Sequence, residues 1–289
     1  MKNSIMKPNA TVSLICLAFA MTLTGLNGAA APRADVLRTV YFSAIDGKGV
    51  YVTDLTAADL TVKEGGKDRV IDAVKPATAP MQVSLLVDDG GSGGFQAAVS
   101  QFIQATFGRA EYAIRVLQPQ AIKVQDFTAN GDELRTALGR MGQRGRVQPD
   151  NEQVIAGVLD AAKELRQREA RRPSIIVLTV SGEKALADTA DETLNALKAS
   201  GASLSVLYLN GVELGKVLGD GPKQSGGMIQ PVTGNVVLQP ALAKVAENLL
   251  KQYVLTYTVP DGVKPNEKLS LSTSRKDVKL LAPTRLPDK

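Results

Sequence analysis

Histidine and tryptophan are absent from this 289-residue chain, and cysteine occurs once, at Cys16. Without histidine there is no histidine-based catalytic triad and no imidazole metal ligand. A single cysteine excludes an intramolecular disulfide and the usual Cys/His zinc sites. Cys16 itself falls in a segment that reads as removable. Lys2 and Lys7 precede an apolar run over 12–26, and Gly28, Ala29, Ala30 and Ala31 supply the small residues of a signal-peptidase site. The run is short for a bilayer span and carries Ser13, Thr22 and Thr24, so 1–31 reads as a cleaved export signal rather than an anchor. Cys16 lies inside the run without small residues before it, which disfavours a lipoprotein. The expected location is therefore periplasmic or extracellular, and the exported chain has no thiol. Carboxylate pairs, Ser-Lys pairs and oxygen-ligated metals are the catalytic options that remain.

Charge is also scarce in one sense. Removing Lys2 and Lys7 from 34 positive side chains leaves 32 against 29 negative ones, too small an excess to argue for nucleic acid. The densest basic patch spans 166–172, with Arg140, Arg144 and Arg146 nearby, and it reads as a solvated helix surface.

What is present is a change of period along the chain. From 38 to 74, short strands alternate with turn chemistry. A strand over 39–45 meets Asp46-Gly47-Lys48-Gly49 and a return over 50–53. A second hairpin, 60–63 with 69–74, turns at Glu64-Gly65-Gly66-Lys67. Residues 75–80, with Pro76 and Pro80, read as a stiff connector. From Met81 onward strands alternate with helices. Apolar runs at 83–87, 174–179 and 203–209 read as strands buried on both faces. Residues 112–117 and 122–127 are short strands joined by a turn at 118–120, hence antiparallel. Helices are expected over 95–107, after Asn130 with Glu133 three residues on, after Asp150 with Gln153, after Thr189 with Glu192, and from Pro240. The tail, 253–259, 268–273 and 278–281, returns to β.

The fold class is α/β, with a doubly wound, mostly parallel sheet covered by helices on both faces. A small β-module is built from both chain ends, because neither group of strands is stable alone. The expected divisions are a signal over 1–31, a β segment over 32–80, the α/β domain over 81–252 and a second β segment over 253–289 that packs with the first.

The most informative stretch is Val87-Asp88-Asp89-Gly90-Gly91-Ser92-Gly93-Gly94, where a buried strand stops at two carboxylates and a glycine-rich loop. In open α/β sheets ligands bind at the carboxyl ends of strands. A buried strand ending Asp-x-x-x-Ser, an antiparallel hairpin and then helix-strand alternation resemble a von Willebrand factor type A domain. The flanks, including 52–62 with Glu64-Gly65-Gly66-Lys67 and Gln252-Tyr253-Val254-Leu255-Thr256-Tyr257, resemble the end blocks of exported bacterial proteins related to that domain. The resemblance covers 39 to about 283. It implies a metal-ion-dependent adhesion site built from Asp-x-Ser-x-Ser, a threonine on a second loop and an aspartate on a third.

Here that ligand set is broken. Asp88 and Ser92 match the first and last positions, but Gly90 replaces the middle serine. The second loop, 144–151, contains no threonine. On the third loop, Leu178-Thr179-Val180-Ser181-Gly182-Glu183 places Val180 or Ser181 where the aspartate belongs. Magnesium demands near-octahedral oxygen coordination, so Asp88 and Ser92, with Asp89 or Glu183, make a poor set for Mg2+ or Mn2+. No cofactor is expected. The glycine loop matches neither Gly-x-Gly-x-x-Gly nor a Walker sequence, and its aspartates repel phosphate. Adjacent residues such as Asp88 and Asp89 point in different directions, which disfavours a catalytic carboxylate pair.

The reading is a non-enzymatic exported protein whose α/β domain binds another protein or serves adhesion. The candidate contact residues are Asp88, Asp89, Ser92, Ser181 and Glu183. The alternatives are a carboxylate-based enzyme acting on envelope or extracellular polymers, and a structural envelope component.

Overall fold

The computed structural model describes residues 35–118, 121–145, 151–183 and 186–288. The proposed signal segment with Cys16, and the capping residue Asp150, lie outside the described residues. Among the described residues no helix is long and apolar enough to cross a membrane.

Thirteen strands, six α-helices and one short 3-10 helix, Ala57–Asp59, are described. The central sheet contains β5 (Met81–Asp88), β6 (Ala110–Val116), β7 (Ile122–Thr128), β8 (Pro173–Thr179), β9 (Ser203–Leu209) and β10 (Ile229–Val232). Their spatial order is β10-β9-β8-β5-β6-β7, and every pairing is parallel except β6 with β7. The three continuous apolar runs are thus neighbours, and Leu85, Leu86, Ile176, Val177, Leu204 and Val206 are fully buried. Each such side chain contributes about 1.5–3 kcal/mol relative to exposure. On one face pack α1 (Gln96–Thr106), α2 (Gly131–Arg140) and α6 (Asn235–Leu250). The other face is covered by α3 (Asn151–Gln167), α4 (Ala187–Ser200) and α5 (Lys216–Ser225). From β5 the chain moves to β6 on one side and later to β8, β9 and β10 on the other. The winding direction therefore reverses between β5 and β8, and a crevice forms at their carboxyl ends.

The two chain ends share a β-module. One sheet orders β13 (Val278–Leu281), β1 (Val36–Asp46), β11 (Tyr253–Val259) and β4 (Ile71–Pro76). A second orders β12 (Leu269–Thr273), β2 (Leu60–Glu64) and β3 (Lys67–Arg69). Val40, Phe42, Leu255 and Tyr257 from the first sheet meet Leu60, Val62 and Leu269 from the second in one core. Glu64, wholly buried, accepts from Arg38, Arg69 and the Tyr257 hydroxyl, so its charge is neutralised twice inside that core. Both parts lie within one compact unit, Ala34–Lys289.

Several elements differ from the sequence expectations. The return strand at 50–53 is reduced to a bridge between Ile45 and Tyr51, because the Asp46 carboxylate accepts from the backbone of Lys48 and Val50 and closes the turn itself. The expected strand 69–74 divides between two sheets, with Arg69 in β3 and Ile71 opening β4, which runs into the supposed connector as far as Pro76. Asn130 caps α2 as expected, its side chain accepting from Asp132 and Glu133 N–H. Thr189 does not open α4, which starts two residues earlier, after Leu186, without a side-chain cap. Pro240 lies inside α6 rather than at its start.

Candidate functional site

Three loops meet at the β5/β8 crevice. Asp88 ends β5 and is fully buried. Its Oδ2 accepts from Thr179 Oγ1 at 2.7 Å and from the Ser181 backbone N–H at 3.1 Å, while Oδ1 accepts a long bond from Gly90 N–H at 3.4 Å. Thr179 Oγ1 in turn accepts from the backbone N–H of Ser181 and Gly182. The β5 carboxylate therefore serves to fix the loop after β8. These bonds satisfy acceptor sites on both oxygens of the buried carboxylate.

Asp89 faces a different loop. Its Oδ1 accepts from Gly91 N–H at 3.0 Å and from Arg144 Nη2 at 2.7 Å. Arg144 also donates to the carbonyls of Met141, Gly142 and Gln118, and its backbone N–H donates to Gly91 O. The Arg144 guanidinium is 13% exposed and the Asp89 carboxylate 1%, so this is a largely desolvated pair. Gly93 makes the approach of the two loops possible: its φ is +74°, and a Cβ there would lie 2.7 Å from Gln143 N. The paired aspartates thus point to different loops, as adjacent residues on a turn do, and do not converge on a common substrate position.

Ser92 is exposed; its Oγ donates to Asp89 O at 2.8 Å and accepts from Gly94 N–H, an intraloop turn. Glu183 has a structural partner. Its two carboxylate oxygens accept from Val217 and Leu218 N–H at 2.9 and 2.7 Å, so it closes the N-terminus of α5, where Gly215 leaves room for it. Two oxygens at this edge, Asp89 Oδ2 and Ser181 Oγ, are buried without a hydrogen-bond partner among the described residues.

The described residues at this edge do not fit a metal. Octahedral magnesium needs about six oxygens. Asp88 and Glu183 are committed to backbone and hydroxyl donors, which among the described residues leaves the two unpartnered oxygens and Ser92. The Arg144 cation already sits against Asp89. Among the described residues no three His, Cys, Asp or Glu side chains cluster as ligands.

Two arginines carry more structure than their sequence setting suggests. Arg144 was expected on a solvated helix surface, but the Asp89 carboxylate and the carbonyls around it draw it inward. Arg172, in the same basic patch, is 3% exposed. It donates to Ala77, Ala79 and Leu249 carbonyls and to the Gln252 side chain, tying the connector before β5 to the end of α6. The only sequence signal for either role was position: Arg144 opens the second loop and Arg172 directly precedes a buried strand.

No family model matches the chain, and no curated protein matches its sequence. Among solved structures it is similar to a von Willebrand factor type A protein from Catenulispora acidiphila, with 10% identity and a TM-score of 0.47 over 90% of this chain and 76% of that one. It is also similar to the SpRpn10 VWA domain, with 10% identity and a TM-score of 0.44 over 58% of this chain and 94% of that domain. Proximal thread matrix protein 1 of the mussel byssus gives 12% identity and a TM-score of 0.47 over 60% of this chain, which spans 48% of that protein. These likenesses are distant, and the functional reading rests on this chain's own residues.

Proposed function

We propose that this is an exported, non-enzymatic binding protein that engages a protein partner through the carboxyl edge of its parallel sheet, without a metal ion. The observation that carries the reading is the Arg144–Asp89 pair, a fixed internal cation at the carboxylates where an adhesion site of the resembled family would hold its ion. The non-enzymatic reading is supported by the divergence of Asp88 and Asp89 and by the use of Glu183 as a helix cap. Export rests on the charge and apolar pattern of 1–31. Exposed groups remain at the edge for a partner, among them Ser92 and Leu186, the latter 78% exposed just before α4.

Two measurements test this. Millimolar magnesium or manganese should leave the melting temperature unchanged. A functional site would add about 2.7 kcal/mol at a hundredfold excess over Kd, a shift of several degrees for a domain of this size. A rise that Asp88→Ala abolishes would restore metal-dependent adhesion. Photo-crosslinking amino acids placed at Ser92 and Leu186 should give protein adducts in cells. Adducts from Val70 in the β-module but none from the two edge positions would sink the proposed surface.

A further inference from the structure

At the opposite end of the sheet a cavity of about 230 Å3 opens between the amino ends of the parallel strands and the β-module. Met81, Pro173 and Ser203, which begin β5, β8 and β9, line it, and Thr39 and Tyr41 of β1 face them. It is larger than the ~150 Å3 engineered cavity that binds benzene and smaller than the ~300 Å3 at which drug-sized pockets begin.

Its charge is one-sided. Arg171, Arg172, Lys198 and Arg285 line it, and no aspartate or glutamate does. Lys198 and Arg285 are neutralised by Glu267, with Asp288 also on Lys198. Arg171 and Arg172 have no ion pair among the described residues. The carbonyls around Arg172 satisfy its N–H groups but not its charge, and burial pushes its pKa down to about 10. A tether between β5 and α6 accounts for Arg172 alone. It does not account for the open volume, which Arg171 borders from an exposed position.

The remaining lining is apolar with a hydroxyl pair. Leu197, Ala202 and Leu249 are buried there. Ser203 and Ser174 hydroxyls bond to each other at 3.2 Å, which leaves one O–H proton of the pair without an acceptor among the described residues. A bare inorganic anion would satisfy the charge and leave the apolar lining uncovered.

We propose that this cavity binds a small monocarboxylate with an apolar body, its carboxylate compensating Arg171 and Arg172 and accepting from the serine pair. The test uses benzoate and hexanoate as probes, with benzamide and inorganic phosphate beside them. Benzoate or hexanoate at about 10 mM should raise the melting temperature by several degrees, and benzamide and phosphate should not. Arg171→Gln, at an exposed position, should weaken benzoate binding by roughly tenfold or more in calorimetry, as loss of a charge-assisted partner does. Thr39→Phe, which fills the space from the β1 side, should abolish it. The proposal is overturned if neither carboxylate binds, if benzamide or phosphate stabilises equally, or if Arg171→Gln binds benzoate as wild type does.

Discussion

Arg144 and Arg172 are both drawn out of solvent, one beyond the carboxyl ends of the parallel strands and the other before their amino ends, and their partners differ in kind. Arg144 meets the buried Asp89 carboxylate and neighbouring carbonyls, so charge and hydrogen bonds are settled together. Arg172 meets carbonyls, an amide and the face of the Tyr41 ring 5.6 Å away, so its hydrogen bonds are settled but no carboxylate neutralises its charge. The first arrangement gives the Asp89 carboxylate a cation of its own. The second leaves a cationic wall on a cavity. Two ends of one sheet, built from the same strands, thus differ in what each leaves for a ligand to compensate.

Removing each arginine separates the two cases. Arg144→Ala leaves the Asp89 carboxylate buried without its cation and should lower stability by about 3–5 kcal/mol in urea denaturation. Adding Asp89→Asn should recover more than half of that loss, because the uncompensated charge disappears. Arg172→Leu should cost somewhat less, about 2–4 kcal/mol, from carbonyls left without donors. Neutralising a carboxylate should not rescue it. The contrast breaks if Asp89→Asn fails to rescue Arg144→Ala.

How far such contrasts are visible in the sequence depends on which physical signal encodes them. The central strands are legible because burial on both faces demands continuous apolar runs, as at 83–87 and 174–179. The shared β-module follows from strands that cannot stand alone, and β1 does pair with β11. Elements fixed by a single polar contact were not legible: Asp46 closes its own turn, and α4 begins at Ala187 without a cap residue. At the site, the departures from the resembled ligand pattern, Gly90 and Val180 or Ser181, can be read directly because that pattern has fixed spacings. The Arg144–Asp89 contact cannot, because the two are 55 residues apart and nothing local marks them as partners. Arg172 is hidden by its neighbours, which belong to a solvated patch.

Glu183 sharpens the comparison at a lower energy, since it stands at the closed edge and was a candidate contact residue. If its carboxylate serves α5, Glu183→Ala should cost about 1 kcal/mol in urea denaturation, the usual scale of a lost N-terminal cap. Crosslinking from Ser92 should be unaffected. A loss of crosslinking with unchanged stability would reassign Glu183 to the partner and reopen the closed edge.

The smallest effect belongs to a third arginine, at the surface of the β-module, which shows what the same chemistry is worth in water. Arg275 forks onto Asp59 and Asp54, and this fork, with the Thr56 N–H and hydroxyl, holds the Asp59 carboxyl down from 3.8 to about 2. Because the folded value is the lower one, the unfolded chain binds the proton more readily. The contribution is complete above the ordinary carboxyl range and is lost as pH falls through about 2. The melting-temperature difference between wild type and Arg275→Ala should be small near pH 5 and shrink further between about pH 4 and pH 2. Salt at roughly 0.5 M should shrink it as well, since exposed pairs are screened. The Arg144→Ala difference should persist in that salt, because its partner carboxylate is almost wholly out of water. Equal salt sensitivity of the two would mean that the Arg144 pair is solvated, and the closed edge would then have to admit ions.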